Sequence, residues 1–360
     1  MLNPFSRRPA PPEAARPTAP ASEPFDRAML DRSESGAPAA GHAVRDLFST
    51  DEIFQRIVAT ADEEFVRSTR LLFFSGLAAG LSIGLSFVAR AALTGAVPGD
   101  ASGLIGGILY PVGFVLIVLG RYQLFTENTL TPVTLVLTKI AAVPQLLRVW
   151  GIVLLANVAG AALVALLLAK TGVLDPDSFE AAREIAMHGL EVPTTDLFWK
   201  GVIAGWLVAS MVWLNHAARD TTSRLLIVFA IMYLVPAADL FHCIIGACEA
   251  LFLVFQGDAS LLEAGRFFGA VVTGNTVGGV LLVAILNYSQ TKRQRFPDRD
   301  CEAMELTWRE WFFGVGRMAP THGASANNPL SGTEDMEGAE TGSLLDQPVP
   351  TQEPLAPEVP

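Results

Sequence analysis

Five stretches with no charged side chain, residues 71–89, 101–120, 149–169, 201–218 and 267–291, constrain this chain more than any other feature. Each reaches or approaches the roughly 20 residues that carry an α-helix across a hydrocarbon core. In lipid the backbone must satisfy its own N–H and C=O groups, so runs of this length fold as helices. Composition points the same way, with 51% hydrophobic and only 17% charged residues. The expected fold class is all-α integral membrane.

A sixth crossing is hidden. Residues 225–238 are uncharged but short, and apolar residues resume at Phe241 after Asp239. The same interruption follows Gly120, where Arg121 to Asn128 precede another short run from Thr129 to Thr138. Both are read as broken helices, the second and fifth of six. Gly151, Asn157 and Gly160 match Gly269, Asn275 and Gly278 at an offset of 118, and Ala79-Gly80 matches Ala204-Gly205 at 125. The breaks are aligned as Leu124-Phe125-Thr126 with Leu240-Phe241-His242, at 116. The chain thus reads as two three-helix repeats. Three is odd, so the second copy enters from the opposite side and the repeat is inverted. Paired broken helices in inverted repeats mark a substrate path near the midplane.

Eleven Lys and Arg, among them Arg67, Arg70, Arg148, Arg224 and Arg293, fall on one side of this arrangement. Arg90, Lys170, Arg183, Lys200 and Arg266 fall on the other. The richer side is expected to be cytoplasmic, with both termini inside, in a cell inner (plasma) membrane. Residues 1–45 and the segment from Val315 lack apolar periodicity, and that segment sets seven acids against one base, so most of the net charge of −11 is tail. Residues 1–45 are expected to be a disordered cytoplasmic tail and 292–360 a cytoplasmic tail that is mostly disordered, and no signal-peptide core precedes the first crossing. Residues 46–66 predict an amphipathic helix at the membrane surface, with Ser49 to Glu52 as cap residues. Trp308, Trp311 and Phe312 suggest a second interfacial anchor. The transporter domain is then 67–291.

Unwound backbone in lipid survives only where it is buried or lines an aqueous path, which directs attention to the two breaks. Each places Leu-Phe before a polar group: Leu124 and Phe125 before Thr126, Leu240 and Phe241 before His242. An apolar constriction beside one hydroxyl and one imidazole suits a narrow gate for a small polar solute. His242 is the histidine inside a span; an imidazole that merely seals the break is the plainer alternative, as helix capping is for Thr126. Lys200 reads as a cation that draws anions into an outer vestibule, or as an ordinary snorkelling lysine. Arg121, Glu127, Asp239 and Glu249 flank the breaks, where pairing of Arg121 with an acid of either break is the natural arrangement, with gating the alternative. Asn157 and Asn275 read as interhelical hydrogen bonders. Cys243, Cys248 and Cys301 give neither a disulfide framework nor a metal set, and no HExxH, CxxC or GxSxG occurs, so no cofactor, metal or enzyme chemistry is expected.

Over about residues 50–290 the Gly-rich first span, Leu124-Phe125-Thr126, Phe198-Trp199-Lys200-Gly201, Phe241-His242 and Gly274-Asn275 with Gly278-Gly279 together resemble the formate/nitrite transporter family. The resemblance implies an aquaporin-like protomer in a homo-pentamer embedded in the bilayer, each protomer with its own pore for a small monovalent anion, passed alone or with a proton. It implies that His242 is the central pore histidine, that Thr126 lies on the loop of the first broken helix, that Leu124 and Phe125 form a constriction, and that Lys200 is the vestibule cation. No nucleic acid is implied. Gly205 stands where the family usually has Asn, and Phe241 replaces its usual acid before the histidine. A pore for neutral solutes on the same fold, or an occluded sensor or scaffold, are the rival readings.

Cysteine labelling from outside should mark 94–103 and 171–196 and leave the 139–148 loop unlabelled; strong external labelling at position 144 would overturn the topology.

Overall fold

In the computed structural model of the protein, residues 48–291 and 306–314 are described. Eleven helices follow one another among these residues: α1 Thr50–Val66, α2 Thr69–Ala96, α3 Ser102–Gly120, α4 Thr131–Leu137, α5 Val143–Lys170, α6 Pro176–Glu191, α7 Thr194–Ala217, α8 Thr221–Ala237, α9 Cys243–Gln256, α10 Leu261–Gln290 and α11 Trp308–Phe313. A 3-10 turn at Gly107–Leu109 interrupts α3, and a π segment at Val280–Ile285 interrupts α10. Five helices, α2, α3, α5, α7 and α10, are long and apolar enough to cross a membrane, and α8 and α9 are shorter apolar helices. Large apolar side chains also cover the outside, with Leu155 71% exposed and Leu226 64%. Such an exterior fits lipid or a neighbouring subunit rather than water. The calls on residues 1–45 and on Cys301 lie outside the described residues.

The internal repeat has a clear local form. Each half opens with an amphipathic helix (α1, α6), continues with a crossing (α2, α7), then a broken helix (α3 with α4, α8 with α9), and closes with a long crossing (α5, α10). Ser49 caps α1 in a reciprocal box with Glu52. Helix α6 was not expected from the sequence. Asp175 caps it, Pro176 occupies its first turn, and it buries Ser178, Ala181, Ala182, Ala186 and Gly189. This small-residue face lets α6 lie closely on α2 and α9, where taller apolar residues would not fit.

The crossings of each half approach at glycine. A Cβ on Gly80 of α2 would run into the Asn157 carbonyl of α5, and one on Gly205 of α7 into the Asn275 carbonyl of α10. That closeness brings each asparagine to its break. Asn157 Oδ1 accepts from Phe125 N–H at 2.8 Å, while Nδ2 donates to the Gly76 and Gln123 carbonyls at 2.8 and 2.9 Å. Asn275 Oδ1 accepts from Cys243 N–H at 2.9 Å, while Nδ2 donates to the Gly201 and Phe241 carbonyls at 2.8 and 3.1 Å.

These bonds correct the alignment of the breaks. Phe125 and Cys243, Gln123 and Phe241, and Asn157 and Asn275 all stand 118 positions apart. Both breaks also begin at a left-handed residue, Arg121 with φ 55 and Asp239 with φ 51, again 118 apart. The offset of 116 matched two Leu-Phe dipeptides; the backbone matches Leu124 with His242 and Thr126 with Ile244. Thr126 and His242 are therefore not equivalent positions of the repeat.

After α10, the segment at α11 returns to α4. Leu306 N–H donates to the Lys139 carbonyl at 2.9 Å and Trp311 Nε1–H to the Val136 carbonyl at 2.7 Å, so both satisfy carbonyls at the α4 C-terminus.

Asn157→Leu or Asn275→Leu leaves three buried backbone groups unpaired, each costing about 1–3 kcal/mol. Either should sharply lower the unfolding temperature in detergent, whereas Thr273→Val, which removes a hydroxyl bonded only to its own helix, should leave it within a few degrees.

Candidate functional site

The two breaks meet at one polar contact: Thr126 Oγ1 lies 2.8 Å from His242 Nε2. His242 caps the N-terminus of α9, and its Nδ1 lies 3.5 Å from Ile245 N–H, a long contact in which the nitrogen accepts. Nε2 then carries the proton of the neutral ring and donates to Thr126, whose own hydroxyl proton stays available. Thr126 and His242 are 1% and 2% exposed, so this conformation is closed at the contact. Phe114 of α3 sets its ring edge-on to the imidazole at 5.0 Å between centroids. Nothing in the sequence had singled Phe114 out; in the fold its ring lies directly against the imidazole of the closed contact.

The expected constriction residues adjoin this pair in the chain and pack against other neighbours. Leu124 is fully buried, Phe125 packs edge-on against Trp150 at 5.7 Å, and Phe241 against Phe267 at the same distance. Leu240 is half-buried at the edge of the core.

The charged residues at the breaks pair differently from expectation. Arg121 does not meet an acid of either break; it reaches Glu63 of α1 at 3.4 Å. Asp239 holds His188 of α6 at 2.8 Å and also the ammonium of Lys200. Glu63 with Arg121 and His188 with Asp239 occupy equivalent places in the two repeats with the charges exchanged. Each pair ties the left-handed residue of a break to the amphipathic helix of its own half, which the sequence hid because the partners lie 58 and 51 positions apart. All four side chains are more than half exposed or close to it, so each pair stabilises by about 1 kcal/mol at most. Lys200 is thereby countered by Asp239, with the Phe241 ring 5.6 Å from its nitrogen. Glu249 lies 3.7 Å from Arg90 of α2, both largely buried. Glu127 has no hydrogen bond or ion pair through its side chain among the described residues.

On the α1 side a cavity of about 560 Å³ is lined by Glu64, Arg121, Gln123, Glu127, His216 and Arg224, among others. Glu64, which sequence reasoning passed over, is 4% exposed there. The sequence shows only a charged position on an amphipathic helix; its burial comes from α4 packing on α1.

The formate/nitrite transporter family profile matches residues 51–289. The inner membrane protein YfdC of Escherichia coli is 30% identical over 71% of this chain and 84% of its own length. The formate channel FocA of Haemophilus influenzae is 28% identical over 62% of this chain and 87% of its own. Among solved structures, an FNT family ion channel superposes with a TM-score of 0.61 at 22% identity, covering 67% of this chain and 99% of that one. A pentameric formate channel with formate bound gives 0.52 at 23% identity, covering 61% and 96%. With two crossings broken at matching places, glycine-mediated helix approach and a match across both repeats, this chain belongs to the formate/nitrite transporter family.

Proposed function

We propose that the chain conducts a small monovalent anion of the formate or nitrite class through a pore in each protomer of a homo-pentamer, in an inner membrane with both termini cytoplasmic. The Thr126–His242 contact is the observation that carries this reading. A bare anion in such an enclosed site loses its hydration, a penalty of several kcal/mol per ion. Neutralisation removes most of it. The imidazole and the Thr126 hydroxyl offer two adjacent donors on one path, so an anion entering between them replaces their mutual bond with bonds to itself. A proton taken from solution and relayed by His242, whose ring passes through the imidazolium form and returns to neutral, then lets the cargo pass Leu124, Phe125 and Phe241 as a neutral species. Lys200 concentrates anions at the outer mouth when Asp239 releases it. Relatives support the cargo class by what they are called: formate channel in Haemophilus influenzae, nitrite transporter in Salmonella typhimurium.

The neutral-solute reading has one observation in its favour, the pairing of Lys200 with Asp239, which leaves the outer mouth without an unpaired ammonium. Liposome flux of formate against an uncharged solute of similar size separates the two.

His242→Phe removes the donor at nearly constant ring size and should abolish formate flux or its rise at low pH. His242→Asn keeps a donor that does not titrate, and should conduct without the acid rise if the proton is essential. Thr126→Ala should impair flux less completely. Wild-type rate and pH dependence in His242→Phe would reduce the imidazole to a structural plug.

A further inference from the structure

The cavity on the α1 side holds two acids that the transport reading leaves unused. Glu64 points inward from α1, and its oxygens accept from the Thr131 hydroxyl at 2.8 and 3.1 Å and from Gln123 Nε2 at 3.5 Å. All these donors are neutral. Three of the nearby guanidiniums are engaged elsewhere, Arg121 with Glu63, Arg56 with the His216 carbonyl and Arg224 with the Ala218 carbonyl, and a fourth, Arg67, also lines the cavity. Glu127 lines the same cavity and follows Thr126 directly in the chain, which places an acid between the cavity and the Thr126–His242 contact along the backbone.

We infer that Glu64 and Glu127 form a protonatable carboxyl pair at the floor of this cavity, and that the charge of the pair decides whether a monovalent anion reaches Thr126 from the α1 side.

Burial favours the neutral form of a carboxyl, and a second carboxylate nearby favours it further. Burial pushes Glu64 up to about 7, opposed more weakly by its bonds to Thr131 and Gln123 and by the charge of Arg67. The other titratable or charged groups lining the cavity are Arg56 and Glu63 on α1, Arg67 just after it, Arg121 and Tyr122 at the break, His216 on α7 and Arg224 on α8. The sign follows directly. Above neutral pH the pair is ionised and repels an incoming anion; below it, a bound proton cancels that repulsion and the anion enters. Two acids on an anion path thus become a filter that opens when protons are abundant on the same side. The cargo in this inference rests on the proposed function; the titration does not.

Two measurements on the full chain test it. Infrared titration in lipid nanodiscs should show a protonated-carboxyl band that fades as pH rises through neutrality, diminished in both Glu64→Gln and Glu127→Gln. Formate flux from the α1 side of oriented liposomes should fall about tenfold per pH unit above the midpoint, as expected for a single titrating proton. Glu127→Gln should lose less flux than the wild type over that range, whereas His242→Phe should lose the flux itself or its acid rise. A wild type with no carboxyl titrating near neutrality overturns the inference, and so does a Glu127→Gln flux profile superimposed on the wild type. If no form carries formate while the band titrates and is lost in the glutamine variants, the carboxyl pair stands and the anion reading falls.

Discussion

Two buried side-chain amides are what make non-helical backbone tolerable inside this protein. A break in a membrane helix frees N–H and C=O groups that lipid cannot satisfy, and each one left bare costs several kcal/mol. Asn157 and Asn275 each supply one acceptor and two donor bonds, placed to take one N–H and one C=O from the break and one C=O from the crossing opposite. That reach depends on Gly80 and Gly205, where any side chain would force the helices apart. The breaks can then hold Thr126 and His242 at the centre. Small glycines, amide bonds and the Thr126–His242 contact form one sequence of dependence.

Around that rigid centre the charges are arranged in layers of different strength. Glu63 with Arg121 and His188 with Asp239 are exposed and weak, suited to pairs that part when a break moves. Arg90 with Glu249 is more deeply placed, and removing one partner would strand the other. Glu64 is the most enclosed of these acids, and its hydrogen bonds come only from neutral donors.

The crossings were legible because hydrophobic length is a direct read-out of bilayer thickness, and the breaks because short apolar runs recurred at matching places. The register between the breaks was not. Leu124-Phe125 and Leu240-Phe241 are identical in letters, but the left-handed Arg121 and Asp239 set the backbone two positions away from that match. Helix α6 escaped because its buried face is Ala, Ser and Gly, which contrast little with their surroundings, although Asp175-Pro176 was a readable start. The partner of Arg121 and the burial of Glu64 depend on α1 folding back over the first break. Neither is visible until distant segments are brought together.

The two-position difference in register decides which side chains meet where the breaks touch. In a symmetric pair of three-helix ancestors every contact between the breaks would occur twice, once in each direction. The mirror partners of Thr126 and His242 are Ile244 and Leu124, both aliphatic and both fully buried. The polar contact therefore occurs once, and an aliphatic pair occupies its mirror position. Two nearly identical halves thus meet at a junction that is chemically one-sided, so a molecule at the junction faces a different surface from each half.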